Sequence, residues 1–153
     1  MAIVIQFQRW AASHVAAHLS FRVTFGEGKI IMGSPQGQLV IKDGTKGSVV
    51  CTQGVLANTF RTRLFGLLGR KGLKQGSGLL IRPSSGVHTF GMSFPIDIVS
   101  LDRDYRVLGV FENTGPWTIR GLSLKTRSVL ELPAGRIQEC NIEPGDTLTL
   151  ETC

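Results

Sequence analysis

Paired cysteines are missing from this sequence. The three present, Cys51, Cys140 and Cys153, lie far apart, form no Cys-x-x-Cys pair and have no histidine at ligand spacing. That argues against a zinc site and against a disulfide framework. Cys51 continues the apolar run of Val49 and Val50 and reads as a small core residue, whereas Cys153 reads as an exposed terminal thiol. The odd count fits a reducing compartment, so a cytoplasmic protein is expected. Also missing is any run near the ~18 consecutive apolar residues that a membrane-spanning helix requires. The N-terminal stretch lacks the order of a secretory signal: Arg9 follows the apolar Ala2–Phe7 instead of preceding it, and His14 and His18 interrupt what comes next. No Gly-x-Ser-x-Gly elbow, no lysine-bearing phosphate loop and no paired-histidine metal motif occurs, so the common catalytic templates fail and neither cofactor nor metal is expected.

What the chain has is a globular composition. Hydrophobic residues at 42% and charged residues at 18% exclude intrinsic disorder, and 153 residues suit one domain. Nineteen glycines supply the tight turns of a β fold. The net charge of +6 is unevenly placed. Residues 48–83 carry Arg61, Arg63, Arg70, Lys71, Lys74 and Arg82 with no acid, whereas residues 84–153 carry six basic and nine acidic side chains. Such a basic zone can steer an anionic partner or simply face solvent. Its only aromatics, Phe60 and Phe65, fall on a helical apolar stripe, so no nucleic acid is expected as partner.

Short alternating runs at Arg22–Phe25 and Gln38–Lys42 and an apolar run at Val49–Cys51 predict strands. Asn58 offers a cap for a short amphipathic helix over 59–68, with Phe60, Leu64, Leu67 and Leu68 at helical spacing. From residue 78 the pattern is β: Gly78–Arg82, Val87–Met92, Ile96–Leu101, Arg106–Phe111, Ser128–Leu132 and Thr147–Glu151, each fenced by Gly, Pro, Asp or Asn. Residues 134–142 allow one helical turn, and Glu143-Pro144-Gly145-Asp146 has the proline and glycine of a type II turn. The expected fold class is mainly β, a small closed or nearly closed barrel with one or two short helices, because closure removes exposed edges. Residues 1–31 are expected to be an N-terminal extension and 32–153 the single domain.

Arg63-Leu-Phe-Gly-Leu-Leu-Gly-Arg70, Gly78-Leu-Leu-Ile81, Val87-His-Thr-Phe-Gly-Met92, Phe94-Pro-Ile-Asp-Ile-Val99, Val129-Leu-Glu-Leu-Pro-Ala-Gly135 and Gly145-Asp146 occur in that order. Over roughly residues 48–151 the chain thereby resembles the bacterial and archaeal family called domain of unknown function 192. The resemblance implies a compact β-barrel-like domain with a short helix after its first strand and no established activity. Leu68 stands where members commonly carry Met, and Ser93-Phe94 where many carry Asn-Thr, so a pocket beside the central motif should be more apolar here.

Candidate binding residues are Arg63, Arg70, His88, Thr89, Met92 and Asp97. In an extended strand His88, Phe90 and Met92 would share one face. Phe90 and Met92 read as core. Asp97 stands among apolar neighbours and needs a partner, for which Arg70 or a backbone amide is the natural choice. Glu131 should face away from the layer that Leu130 and Leu132 enter, solvated or paired with an arginine. Three functions remain open: a ligand- or protein-binding barrel with its groove at His88–Met92; a small hydrolase or transferase using His88 as base and Asp97 as its orienting group; and anion or nucleic-acid binding through the basic zone 61–82. A protein beginning at Met32 is expected to melt cooperatively in a thermal unfolding scan, and an insoluble or non-cooperative product would show that the first 31 residues are needed for the fold.

Overall fold

The computed structural model describes residues 38–58 and 71–152. Aliphatic and β-branched runs become strands wherever the sequence expected them between residues 38 and 152, with shifted ends. Seven form one sheet: β1 (Leu39–Asp43), β2 (Val49–Ala57), β3 (Ser77–Ile81), and then, past the two-residue β4 (Val87–His88), β5 (Ile96–Leu101), β6 (Val107–Thr114), β8 (Ser128–Pro133) and β9 (Leu148–Thr152). The two-residue β7 (Ile119–Arg120) pairs with β4 in a separate ribbon, and one short helix, α1 (Arg136–Cys140), follows β8. The sheet order is β6-β5-β8-β3-β2-β1-β9. Only β2 and β3 run parallel; the other pairs in this sheet are antiparallel. The predicted helix over 59–68 and the predicted strand at Arg22–Phe25 lie outside the described residues.

The sheet is a curled half-barrel whose outer strands meet at one corner. Arg106 bridges Thr147, the Val107 amide donates to the Asp146 carbonyl at 2.8 Å, and the Leu148 amide donates to the Tyr105 carbonyl at 3.0 Å. Lys46, in the turn between β1 and β2, reinforces that corner. Its ammonium reaches Glu143 at 2.8 Å and Asp146 at 2.9 Å, and these bonds raise the lysine pKa. The turn it grips is the expected one, with Gly145 at φ 104° and the Asp146 amide donating to the Glu143 carbonyl. Burial works to raise the Asp146 carboxyl, but Lys46 and the Glu143 amide together bring it below its ordinary value.

Both faces of the central strands are covered. Ile96 and Ile98 of β5 pack with Ala57, Leu79, Ile81 and Met92, whereas Val99 and Leu101 pack with Cys51, Leu130, Leu132 and Ile137. Every residue of β5 and β8 is buried, which is why these two strands read as near-continuous apolar runs.

The two carboxylates on the fully buried strands β5 and β8 meet different fates. Asp97 sits where β5 and β6 slip register, and it is fully buried. One oxygen accepts from the Asn113 amide at 2.8 Å, the other from the Ile137 amide at 2.8 Å. Asp97 therefore ties β6 and the first turn of α1 to β5, satisfying an amide that the helix itself cannot. Glu131 is in register with Leu79 on one side and Ile98 on the other. It faces away from Leu130 and Leu132 as expected, but it is not solvated and has no ion pair among the described residues, because the second apolar layer covers that face too. Burial pushes its pKa from 4.5 up to about 8.

Replacing Asp97 with Ala would strand two buried amides, each worth about 1–3 kcal/mol. Asp97→Ala is expected to lower the denaturant midpoint sharply, with Asp97→Asn less costly because one acceptor oxygen survives; unchanged midpoints would contradict the anchoring role. For Glu131, the folded state retains a proton that the unfolded state releases, so stability is full below about pH 4.5 and declines until about pH 8. The steepest slope is about 1.4 kcal/mol per pH unit. Melting curves of the native chain and Glu131→Gln should diverge across that window, the glutamine variant losing less stability as pH rises; parallel curves would show that Glu131 titrates normally.

Candidate functional site

The His88-Thr89-Phe90-Gly91-Met92 segment is extended only at its start. The strand expected over Val87–Met92 stops at His88, because the Met92 amide turns back to the Thr89 carbonyl at 3.2 Å and Gly91 adopts φ 79°. A left-handed residue at that point costs glycine nothing and most others of order 1 kcal/mol. Met92 accordingly drops into the apolar layer beside Ile96 and Ile98, as expected of a core residue. Phe90 does not join it and stays half-buried.

Thr89 fastens a second segment to the motif. Its amide donates to the Thr118 carbonyl at 2.8 Å, its hydroxyl donates to the Gly115 carbonyl at 2.7 Å, and the same oxygen accepts from the Thr118 amide at 3.0 Å. The Trp117 amide donates back to the Thr89 carbonyl at 3.2 Å. Trp117 is held at φ 60°, a left-handed conformation that strains a bulky residue, while its side chain is 72% exposed.

The result is a three-ring ladder. His88 stacks on Phe90 with centroids 4.9 Å apart, and Phe90 stacks on Trp117 at 5.7 Å. It runs from a buried imidazole to a solvent-exposed indole. His88 Nδ1 accepts from the Phe90 amide at 3.4 Å, which assigns the remaining proton of the neutral ring to Nε2. Burial lowers the histidine pKa and favours that neutral form. His88 Nε2 is buried and has no hydrogen-bond partner among the described residues.

The structure thus brings His88, Thr89 and Met92 into one turn. Asp97 is not part of it: its carboxylate is engaged by the Asn113 and Ile137 amides, on the face that carries Val99 and Leu101, and it does not orient the imidazole. Arg63 and Arg70 lie outside the described residues. Phe90 as a stacking partner and Trp117 were missed from sequence. The one available sign for Trp117 was a lone tryptophan after Gly115-Pro116, in a stretch with no apolar period to bury it. Among the described residues no group of three or more His, Cys, Asp or Glu side chains is placed to hold a metal ion, and no helix is long and apolar enough to cross a membrane.

A UPF0127 protein of Thermococcus gammatolerans is 30% identical over 114 residues, covering 72% of this chain and 74% of its own. A protein of unknown function from Novosphingobium aromaticivorans superimposes with a TM-score of 0.62 at 26% identity, over 73% of this chain and 83% of that one. A Sinorhizobium meliloti protein described as a proposed transcription regulator gives the same TM-score at 21% identity, over 74% of this chain and 92% of that one, a likeness of fold alone. The model of domain of unknown function 192 (DUF192), a family described as uncharacterised, matches residues 41–150, from β1 through β9, and the chain belongs to that family.

Proposed function

We propose that the domain is a binding module whose ligand lies against the His88–Phe90–Trp117 ladder and accepts a hydrogen bond from His88 Nε2. The observation that carries this reading is the buried N–H without a partner. Leaving a buried donor unpaired costs about 1–3 kcal/mol, a penalty that a ligand's acceptor oxygen would relieve. The exposed, strained Trp117 supports the same reading, since a fold that only needed a turn at this point would not hold a tryptophan in a left-handed conformation with its ring in water. The ligand class is a molecule that combines an aromatic or apolar face, to stack on the ladder, with a carbonyl, carboxylate or phosphate oxygen. Ser93-Phe94 offers fewer hydrogen-bonding groups than the Asn-Thr pair common in the family, which supports His88 as the polar contact.

A thermal-shift screen of the full chain against small aromatic carboxylates, amides and phosphates tests this, because a ligand that binds the folded state raises the melting temperature by mass action. His88→Phe keeps a ring in the ladder and removes the donor. It is expected to melt at or above the native temperature yet to lose the ligand-induced shift, while Trp117→Ala weakens it. If no compound of these classes shifts the native chain, and His88→Phe melts well below it, the histidine is a structural residue and the binding reading fails.

A further inference from the structure

Beyond the ladder, the segment from Asn113 to Leu130 has a character unlike the rest of the C-terminal half. It carries Arg120, Lys125 and Arg127 and no acidic residue, although residues 84–153 as a whole are net acidic. At its tip the apolar side chains are displayed: Leu122 is 53% exposed and Leu124 is 82% exposed. The display is built in. The Ser123 hydroxyl accepts from the Lys125 amide at 3.1 Å, and the Thr126 amide donates to the Ser123 carbonyl at 3.1 Å, so Leu124 and Lys125 occupy the two central positions of a tight turn. The Thr126 hydroxyl donates to the Gly121 carbonyl at 3.1 Å and the Ser123 amide donates to the Ser85 carbonyl at 3.0 Å, which fixes the turn against the body of the domain.

Beside this turn lies an open cleft of about 310 Å³, lined by Ser100, Leu108, Gly121, Leu122, Lys125 and Thr126. Its floor is open because Gly121, at φ 69°, has no side chain: a Cβ there would stand 3.4 Å from that of Ser100. A cleft of this size admits one side chain, with Leu108 and Leu122 as an apolar wall and Ser100, Ser123, Thr126 and Lys125 as the polar remainder of its lining.

We propose that this cleft and its basic rim dock an acidic segment of another protein, one apolar side chain of which enters the cleft while flanking carboxylates meet Lys125, Arg120 and Arg127. Charge complementarity selects this occupant. The residues before position 38 carry Arg9, Arg22 and Lys29 against Glu27 alone, so the chain's own N-terminal segment has the wrong sign. A second copy is the weaker match: Glu139, Glu143 and Glu151 are paired with Arg136, Lys46 and Lys42, Asp102 accepts from the Asp104 and Arg106 amides and Glu112 from Gln138, which leaves Asp104 alone among the exposed acids of the described residues. A concave site beside the tip suits a protruding side chain better than a flat lipid surface. The surface is separate from the His88 ladder, and the proposal does not depend on it.

The test uses the full chain and fluorescein-labelled peptides with a central Leu, Phe or Trp flanked by Asp and Glu, read by anisotropy. Matched controls carry Lys in place of the acids, or Ser in place of the apolar residue. Acidic peptides with an apolar centre are expected to bind and both controls to fail, with affinity falling as salt is raised. Leu122→Asp and the pair Lys125→Glu with Arg127→Glu should each weaken binding by about tenfold or more. Leu124→Asp, at a site too exposed to unfold the domain, serves as a further variant, and circular dichroism verifies the fold of each. Equal binding of acidic and basic peptides, or affinity indifferent to these substitutions, would overturn the proposal. So would capture by phosphatidylserine vesicles that needs Leu124 and Lys125 while acidic peptides are ignored, or a dimer that Leu124→Asp dissolves.

Discussion

Both oxygens of the Asp97 carboxylate are bonded to amides, one from β6 and one from the start of α1, and the arrangement of the central sheet depends on those two bonds. A carboxylate can be buried without a countercharge when backbone amides solvate it, since each N–H delivers part of the stabilisation that water would. In return the carboxylate fixes the end of β6 and the start of α1 relative to β5. The slip in register between Ile96 and Ile98 gives Asp97 room to reach the Asn113 amide. The same residue then sets α1 over the end of the sheet, where Ile137 and Cys140 complete the apolar layer shared by Val99, Leu101 and Leu132.

Glu131 shows what happens one strand away without such amides. The two residues lie on neighbouring strands and on opposite faces: Asp97 is met by backbone amides, whereas Glu131 has no ion pair among the described residues and its burial raises its pKa to about 8. His88, also buried, lies outside the main sheet in the ribbon of β4 and β7, and its Nε2 lacks a partner as Asp43 Oδ2 and Ser128 Oγ do within the sheet. Polar groups without partners therefore occur both within the sheet and in the ribbon on which the candidate ligand site is built.

Much of this was legible in the sequence, and what was not has physical reasons. The span Ile96–Leu101 was readable to the residue because Pro95 and Asp102 fence a mostly aliphatic run, broken only by Asp97 and Ser100, of the kind a doubly covered strand carries. Residues 134–142 were readable as a single helical turn, and α1 is five residues long. The partner of Asp97 was readable as a necessity but not as an identity, since the two amides lie 16 and 40 residues away and an amide leaves no mark in the sequence. Alternation placed Glu131 on the correct face and could not reveal that the face is covered. The short course of β4 and the existence of β7 were illegible because both rest on the hydrogen bonds of Thr89 to Gly115 and Thr118, a long-range local fit that no periodicity records.

The position of β9 beside β1 places the last strand of the chain against its first described one, and the Lys46 ammonium clasps Glu143 and Asp146 across the same junction. During synthesis from the N-terminus, β1 and β2 can form their hairpin at once, yet the far edge of β1 must wait about a hundred residues for its neighbour. Throughout that interval Leu39 to Asp43 presents a row of unpaired amides and carbonyls, the template on which stray strands assemble. A chain that stops before residue 148 therefore carries more than a missing strand: its β1 edge lacks the five pairings that β9 supplies and stays open to association.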